Sequence, residues 1–441
     1  MSTKTETLIK PLEAPLCGTT SVPGDKSISH RAILFSAMAE GVSELSGVLD
    51  SDDVQSSIVA VQKLGAKVNL KRQEDGSLAG TIEGWGEKGP KQPSEPIDCG
   101  NSGTTARLLM GMLAPWETEI TITGDESLQK RPMRRITAPL MKMGVRFMPD
   151  GKELLPITIK GTSQLKALKY DAPMASAQLK TAVLLAGVFA QGTTTVNEPS
   201  PSRNHTELML PEYGVVTTAA ERTASVKGPS SLKGCKVQVP GDPSSASFLV
   251  CAAVLKKGSD IKVENVSLNT ARIGFVRTLE RMGADVLLRH TGAAGKEPFG
   301  TIETRYNGVL HGCEIPGDKI STIIDEVPVL ALVAAFAKGI TVFREVGELR
   351  VKETDRLAAV LEGLEILGVD AWIERDDLFI EGQPGLQIPE GTVFDSKSDH
   401  RLAMTWALAG LTGNTSIQVS NFDSVKISYP RFLQDMERLV Q

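Results

Sequence analysis

At 441 residues, with 41% apolar and 23% charged positions, the chain has the composition of a soluble globular protein large enough for two or three domains. A net charge of -5 and an aromatic content of 5% argue against general nucleic-acid binding and base stacking. Five cysteines (Cys17, Cys99, Cys235, Cys251, Cys313) are scattered singly with no CxxC pair, which fits small buried residues in a reducing compartment better than a disulfide framework. The opening MSTKTETLIK lacks the apolar core of a signal peptide. The longest apolar run, VPVLALVAAFA from 327, is too short to span a membrane, so the expectation is a cytoplasmic protein.

In chain order, the first predicted helix begins within PGDKSISHRA at 23–32 and continues through ILFSAMAEG. Asp25 suits its N-cap, but the first turn of a helix carries a partial positive charge, so Lys26 has the wrong sign there. An echo, VPGDPSSASFLVC from 239, supplies an internal control. In the echo Pro243, well suited to a first helical position, replaces Lys26, and Phe248 replaces Arg31. The second copy reads as structural; in the first, two cations override local preference, as expected at a functional position.

Two phrases recur along the chain. An amphipathic helix ends in glycine and leads to a strand in VQKLGAKV, LMKMGVRF, LPEYGVV, LERMGADV and LEILGVDAW. Their glycines (Gly65, Gly144, Gly214, Gly283, Gly368), roughly 70 to 85 residues apart, suit left-handed C-caps. A sixth such helix, FLQDMERLV from 432, ends the chain before its strand. Ahead of each stands a strand, a polar turn and an apolar helix, starting near PGDKSISHRA, CGNSGTTARL, APMASAQLKTAVLLAG, VPGDPSSASF, IDEVPVLALVAAFAKG and SDHRLAMTWALAG. The predicted unit is strand, helix, strand, helix, strand, repeated six times as α/β modules with three per domain.

Helix starts bind anions through free backbone N–H groups. Here equivalent starts carry Lys26, Ser27 and Arg31; Asn101, Gly103 and Thr104; Ser176 and Gln178; Lys352 and Arg356; and Arg401. Two cationic loops, QKRPMRR with Arg131 and SPSRNHTE with Arg203, lie between them. A lone cation at a helix start is ordinarily a solvated side chain. The recurrence of seven at matching or loop-tip positions, in an acidic chain, points instead to an anionic ligand. GWGEKG from 84 matches GxGxxG, but Pro90 and Pro93 follow where a helix should begin, so a dinucleotide site is rejected. His30, His205, His290, His311 and His400 show no metal spacing; they read as surface or supporting groups, and no metal site is indicated. Asp325, Glu326 and Glu353 are acid–base candidates, with caps or ion-pair partners as the alternative.

Taken together, PGDKSISHR, GNSGTTARL, KRPMRR, PMASAQLKTAVLLAG, SRNHTE, PGDPSSASF, IIDEVP, LRVKETDRLAA and DHRLAM resemble the 5-enolpyruvylshikimate-3-phosphate synthase family of enolpyruvyl transferases, in order and over essentially the whole chain. The resemblance implies an α/β fold: a two-domain inside-out α/β barrel built from six βαβαβ-type repeats, helices inward and sheets outward, joined by a double crossover. Its domains would be 22–239 (upper) and 1–21 with 240–441 (lower), the active site lying in the cleft between them. The reaction implied is transfer of the enolpyruvyl group of phosphoenolpyruvate to the 5-hydroxyl of shikimate 3-phosphate with release of phosphate, by addition and elimination through a tetrahedral intermediate.

Carried over motif by motif, Ser27 and Arg31 would hold the shikimate carboxylate, and Ser176, Ala177, Gln178 and Arg203 the 3-phosphate. Lys26, Gly103, Arg131, Gln178, Arg356 and Arg401 would surround phosphoenolpyruvate, with Lys26 at the junction of the two substrates. Asp325 would take the 5-hydroxyl proton, with Lys352 near the same oxygen, and Glu353 would protonate the methylene; Asp325, Glu353 and Lys26 form the catalytic set. No metal or organic cofactor is implied, nor a nucleic-acid or membrane partner. The implied state is a monomer acting on small molecules, with glyphosate as inhibitor.

Two departures from the family pattern stand out. Leu108 occupies a place where many relatives have proline, and Lys426 in SVKISYP is one place early for a lysine that some relatives use. The nearest rival, the enolpyruvyl transferase acting on UDP-N-acetylglucosamine, has Lys-Asn where this chain has Lys26-Ser27. It commonly has a cysteine in the loop that here reads GDESLQKRPMRR. A non-catalytic anion-binding module is the alternative of another class.

Overall fold

The structure, a computed structural model, describes residues 6–440. Among these the chain forms six small sheets, five of four strands and one of three, with helices between the strands. It divides into two compact units. One holds Pro23–Pro240 with the short segment Ala293–Glu297; the other holds the N-terminal residues to Val22, Gly241–Gly292 and Pro298 onward. Each has its own apolar core.

In the 23–240 unit the strand Ile97–Asp98 leads to the helix Gly103–Leu113, the strand Glu119–Thr123, the helix Arg134–Lys142 and a hairpin of Arg146–Met148 with Ile157–Lys160. The first two strands pair in parallel, and the returning strand then inserts between the second and third, antiparallel to both. The sheet containing Lys169–Asp171, Gly192–Asn197, Thr217–Ala220 and Thr223–Gly228 repeats this order. The module therefore has one strand more than the strand–helix–strand–helix–strand unit read from the sequence. The extra strand is needed because the one after each glycine lies at the sheet edge, where only the returning strand meets its hydrogen-bonding groups.

Both copies of the echo sit where the chain passes from one unit to the other, at Val22–Pro23 and Pro240–Gly241. Cys17–Ser21, which leads into PGDK, pairs in parallel with Asp260–Ser267, the strand after the PGDP helix. Lys236–Gln238, which leads into PGDP, pairs in parallel with Val42–Val48, the strand after the PGDK helix. Each copy thus completes the other's sheet. Among the described residues no strand follows the last helix, Phe432–Arg438; the N-terminal strand Glu6–Ile9 instead pairs antiparallel with Ile417–Ser420 in the three-stranded sheet.

The leading helix of each module is buried on nearly all sides, as in Lys26–Met38, Ala177–Phe189, Pro243–Leu255 and His400–Thr412. That is why these segments read as continuous apolar runs. Strands such as Val42–Val48 alternate buried and exposed residues, one face on the core and one toward solvent. Gly65, Gly144, Gly214, Gly283 and Gly368 all have positive φ, the conformation in which the following strand departs from its helix. GWGEKG forms only a three-residue turn of 3-10 helix, Gly86–Lys88. All five cysteines are free; Cys99 and Cys251 are buried, whereas Cys17, Cys235 and Cys313 are half-buried rather than fully enclosed. Among the described residues no helix is long and apolar enough to cross a membrane.

His30, His205 and His400 are core residues, whereas His290 and His311 are exposed. Burial, reinforced by the charges of Lys26 and Arg31, holds the His30 pKa well below its ordinary value. Because the unfolded chain then binds the proton more readily, stability contributed by neutral His30 is present above pH about 6.5 and is lost as pH falls below it. Replacing His30 with Gln should flatten that part of the profile, read as urea midpoints from neutral pH to about pH 5; an unchanged slope would remove His30 as its cause.

Candidate functional site

In the 23–240 unit, Asp25 accepts from the Ile28 amide at 2.8 Å and starts the helix that carries Lys26, Ser27 and Arg31. The Lys26 ammonium is met by the Asp53 carboxylate at 2.5 Å, from the adjoining helix Asp52–Lys63. This explains how a cation is tolerated on a first turn: Asp53 supplies the negative charge that the helix start favours. Removing Lys26 would therefore strand a carboxylate that is 10% exposed, so it would not simply relieve the helix of a misplaced charge. Arg31, 3% exposed, donates to the Thr206 and Thr181 hydroxyls at 2.8 Å each and to the Ser27 carbonyl at 2.9 Å.

The helix starts at Gly103 and Ala177 are tied together by side chains. Gln178 donates from Nε2 to Thr104 Oγ1 at 3.0 Å, while its Oε1 accepts from Arg107 Nη1 at 2.9 Å and Arg135 Nη2 at 3.2 Å. Two cationic donors on the oxygen and a hydroxyl opposite the nitrogen set the orientation of the amide. Arg131 reaches Asn101 Oδ1 at 2.9 Å and Ser127 Oγ at 3.1 Å. A Cβ on Gly103 would lie 2.8 Å from Arg107 Nη1 and 3.6 Å from Arg131 Nη1. Gly103, Arg131 and Gln178 are thus gathered with Arg107 and Arg135, two arginines not singled out from the sequence. Arg107 stands one turn beyond Gly103 in a helix that otherwise reads as apolar, a signal that could have found it.

A buried chain of hydroxyls and imidazole, His30 Nδ1 to Ser57 Oγ at 2.8 Å and Ser57 to Thr105 at 2.7 Å, links the Lys26 and Gly103 helices. Ser176 caps the next helix, its Oγ accepting from Leu179 N at 3.3 Å, and Ala177 opens that helix. Arg203 is half-buried in the loop before the helix His205–Met209. Leu108 is wholly buried in the core.

In the C-terminal unit the centre is Arg356, 1% exposed. It lies 2.8 Å from Asp399, 3.1 Å from Asp325 and 2.6 Å from Glu353. Burial opposes its charge, but Asp399, Glu353 and Asp325 together outweigh burial and hold the guanidinium pKa above its ordinary value. Arg401 approaches Asp325 at 4.0 Å and Glu326 at 3.9 Å. Asp399 was missed in the sequence, although its place before the helix His400–Thr412 marks it as a cap; Oδ1 accepts from the Arg401 amide at 2.9 Å. Lys352 is not drawn into this cluster, pairing instead with Glu348 at 3.0 Å. Lys426 is exposed and pairs with Asp423 at 2.7 Å.

The echo start is built differently. Asp242 accepts from Ser244 N at 2.8 Å and pairs with Arg272 at 2.9 Å, while the Ser244 hydroxyl donates to Glu326. These buried groups meet one another, as a structural start requires. Among the described residues no group of three or more His, Cys, Asp or Glu is placed to hold a metal ion; the carboxylates of the C-terminal unit are gathered on a guanidinium.

Buried helices whose starts present cations, amides and hydroxyls, carried on small α/β sheets, define an anion-handling class. The fold matches that of the enolpyruvyl transferase NikO from Streptomyces tendae, with a TM-score of 0.78 at 19% identity and 99% of this chain covered against 98% of that one. More specifically, the chain belongs to the EPSP synthase (3-phosphoshikimate 1-carboxyvinyltransferase) family, whose model matches residues 12–436. It is 42% identical over 436 residues to the 3-phosphoshikimate 1-carboxyvinyltransferase of Oceanobacillus iheyensis, covering 98% of this chain and 99% of the relative. The enzyme of the same name from Coxiella burnetii is 42% identical over 419 residues, 95% of this chain and 94% of the relative. A 2.37 Å structure of EPSP synthase from Acinetobacter baumannii aligns with a TM-score of 0.87 at 38% identity, over 99% of this chain and 98% of that one.

Proposed function

We propose that the protein is a 3-phosphoshikimate 1-carboxyvinyltransferase, transferring the enolpyruvyl group of phosphoenolpyruvate to the 5-hydroxyl of shikimate 3-phosphate and releasing phosphate. The observation that carries this reading is family membership over nearly the whole chain, joined to the Gly103, Arg107, Arg131 and Gln178 cluster at two helix starts. Cationic and amide donors held in place before a polyanion arrives are what such a reaction needs, because charge builds on the phosphate and carboxylate oxygens as the bonds change. Incubation with phosphoenolpyruvate and either shikimate 3-phosphate or UDP-N-acetylglucosamine, following phosphate release, tests it. Release with the sugar nucleotide alone would assign the rival enzyme, and release with neither would leave an anion-binding module.

The substrates, on this reading, are held by the cations, amides and hydroxyls gathered at the helix starts and their adjoining loops. Lys26, Ser27, Arg31, Ser176, Ala177, Gln178, Arg203, Asp325 and Lys352 take shikimate 3-phosphate, and Lys26, Gly103, Arg131, Gln178, Arg356 and Arg401 take phosphoenolpyruvate. Asp325 accepts the proton of the attacking hydroxyl and Glu353 delivers one to the methylene. The six modules form a two-domain inside-out barrel, a reading supported by leading helices buried on nearly all sides and by sheets with one face in solvent. The enzyme works as a monomer in the cytoplasm. Lys352, paired with Glu348, must leave that partner to reach the hydroxyl.

Glyphosate, longer than phosphoenolpyruvate, competes for the space over Gly103. Alanine there pushes against Arg107 Nη1, only 2.8 Å away, and so against the bond that orients Gln178. Gly103→Ala is expected to raise the glyphosate inhibition constant by a larger factor than the KM for phosphoenolpyruvate, since overpacking costs about 1 to 3 kcal/mol where the longer ligand cannot retreat. Steady-state inhibition assays on both proteins check this; equal factors would mean that Gly103 does not gate ligand length.

A further inference from the structure

A second charged cluster in the 23–240 unit lies behind the residues assigned to the 3-phosphate. Lys180, one turn into the helix Ala177–Phe189, sits 2.8 Å from Glu198 Oε2 and 2.8 Å from Glu207 Oε1, and its side chain is 5% exposed. The other oxygen of Glu198, Oε1, accepts from the Ser176 amide at 3.0 Å and from the Ser202 hydroxyl at 2.6 Å. One carboxylate therefore joins three things: the body of the helix through Lys180, the cap residue that begins it, and the residue preceding Arg203. The strand Gly192–Asn197 ends just before Glu198, and 199–204 has no regular secondary structure until the helix His205–Met209.

Burying three ionised groups is expensive, and well-packed apolar residues would often stabilise a fold as well or better. What an apolar substitute cannot do is accept from a backbone amide and a hydroxyl while being held by an ammonium. The arrangement sets the separation between the donors at the Ala177 helix start and the Arg203 guanidinium, and a polyanion gripped from two sides is sensitive to errors of order 1 Å in that separation.

We propose that Glu198, anchored by Lys180, is a positioning residue that sets the 3-phosphate subsite by holding the Ser202–Arg203 loop against the Ser176 cap. The proposal rests on the functional reading above. It makes a claim that a general structural role does not: loss of Glu198 should be felt by the phosphate group of the substrate and not by the rest.

The test compares the binding of shikimate 3-phosphate, shikimate and phosphoenolpyruvate to the full chain and to Glu198→Gln, which keeps the side-chain volume but loses the charge. The expected result is affinity for shikimate 3-phosphate weakened by about tenfold or more, the scale of a charged hydrogen bond lost, with shikimate and phosphoenolpyruvate changed by less than about threefold. Glu207→Gln removes a neighbouring charge from the same lysine but touches neither Ser176 nor Ser202, so it should lower stability without the phosphate-specific loss. If Glu198→Gln does not fold, Glu198→Asp, which keeps the charge and shortens the reach, should show the same selective weakening. Equal weakening for shikimate and its phosphate, no weakening, or the same selective loss in Glu207→Gln would overturn the proposal. An unsubstituted protein that binds shikimate as tightly as its phosphate would instead defeat the functional reading.

Discussion

Glu353→Gln is expected to lower turnover by about 100-fold or more with little change in substrate affinity or in the unfolding midpoint, the range usual for loss of a general acid–base group. Glu353 is reachable from solvent, its side chain being 29% exposed, and lies 2.6 Å from Arg356. In the proposed mechanism this carboxyl group accepts a proton and delivers it to the methylene. The amide of glutamine can do neither. Stability should hardly change, because Arg356 keeps Asp325 and Asp399 and a partly exposed ion pair contributes on the order of 1 kcal/mol or less. Single-turnover and steady-state rates decide the matter; near-normal turnover would take Glu353 out of the mechanism.

Arg356→Met is expected to have the largest effect on stability, about 3 to 5 kcal/mol, because it removes the counterion from buried carboxylates and leaves them facing one another. Asp399 is 0% exposed and Asp325 14%, so neither can recover its lost partner fully from water. Arg356→Lys should fall between the two, since an ammonium is a point charge and cannot span three carboxylates as a planar guanidinium does. Urea unfolding at neutral pH tests both variants. An Arg356→Met protein as stable as its parent would mean that Arg356 serves the ligand alone and that its three acidic neighbours are not under strain without it.

Much of the site's chemistry was legible because it appears as local contradiction: Lys26 on a helix start, Arg31 after it where the echo has an apolar residue, and Pro243 and Phe248 at the matching places of the echo. The cap at Asp25 was legible for the same local reason, since it bonds an amide three residues away, and Asp242 and Ser176 cap their helices in the same way. Partners brought from afar were not. Asp53, Arg135 and Asp399 meet Lys26, Gln178 and Arg356 across 27, 43 and 43 residues of chain respectively, and although Asp399 can be read as a cap, nothing in their own surroundings names these partners. Lys352 shows the converse: its motif places it beside Glu353, yet its side chain turns to Glu348.

The sequence by itself determined the family, the repeated alternation of strand and helix, and the residue types able to handle anions, because periodicity, capping and charge placement act over a few residues. Tertiary structure alone decided which strand completes which sheet. Strands leading into the two PGD helices are exchanged, and the N-terminal strand fills the place after the last helix, since a strand edge accepts any partner of suitable register wherever the chain supplies one. It also decided that Arg356 is surrounded by three carboxylates and that Glu198 lies behind Ser176, arrangements that depend on helices packing side by side. Buried charge is tolerated only where opposite charge and hydrogen-bonding groups converge from separate elements, and that convergence is a property of the packed molecule.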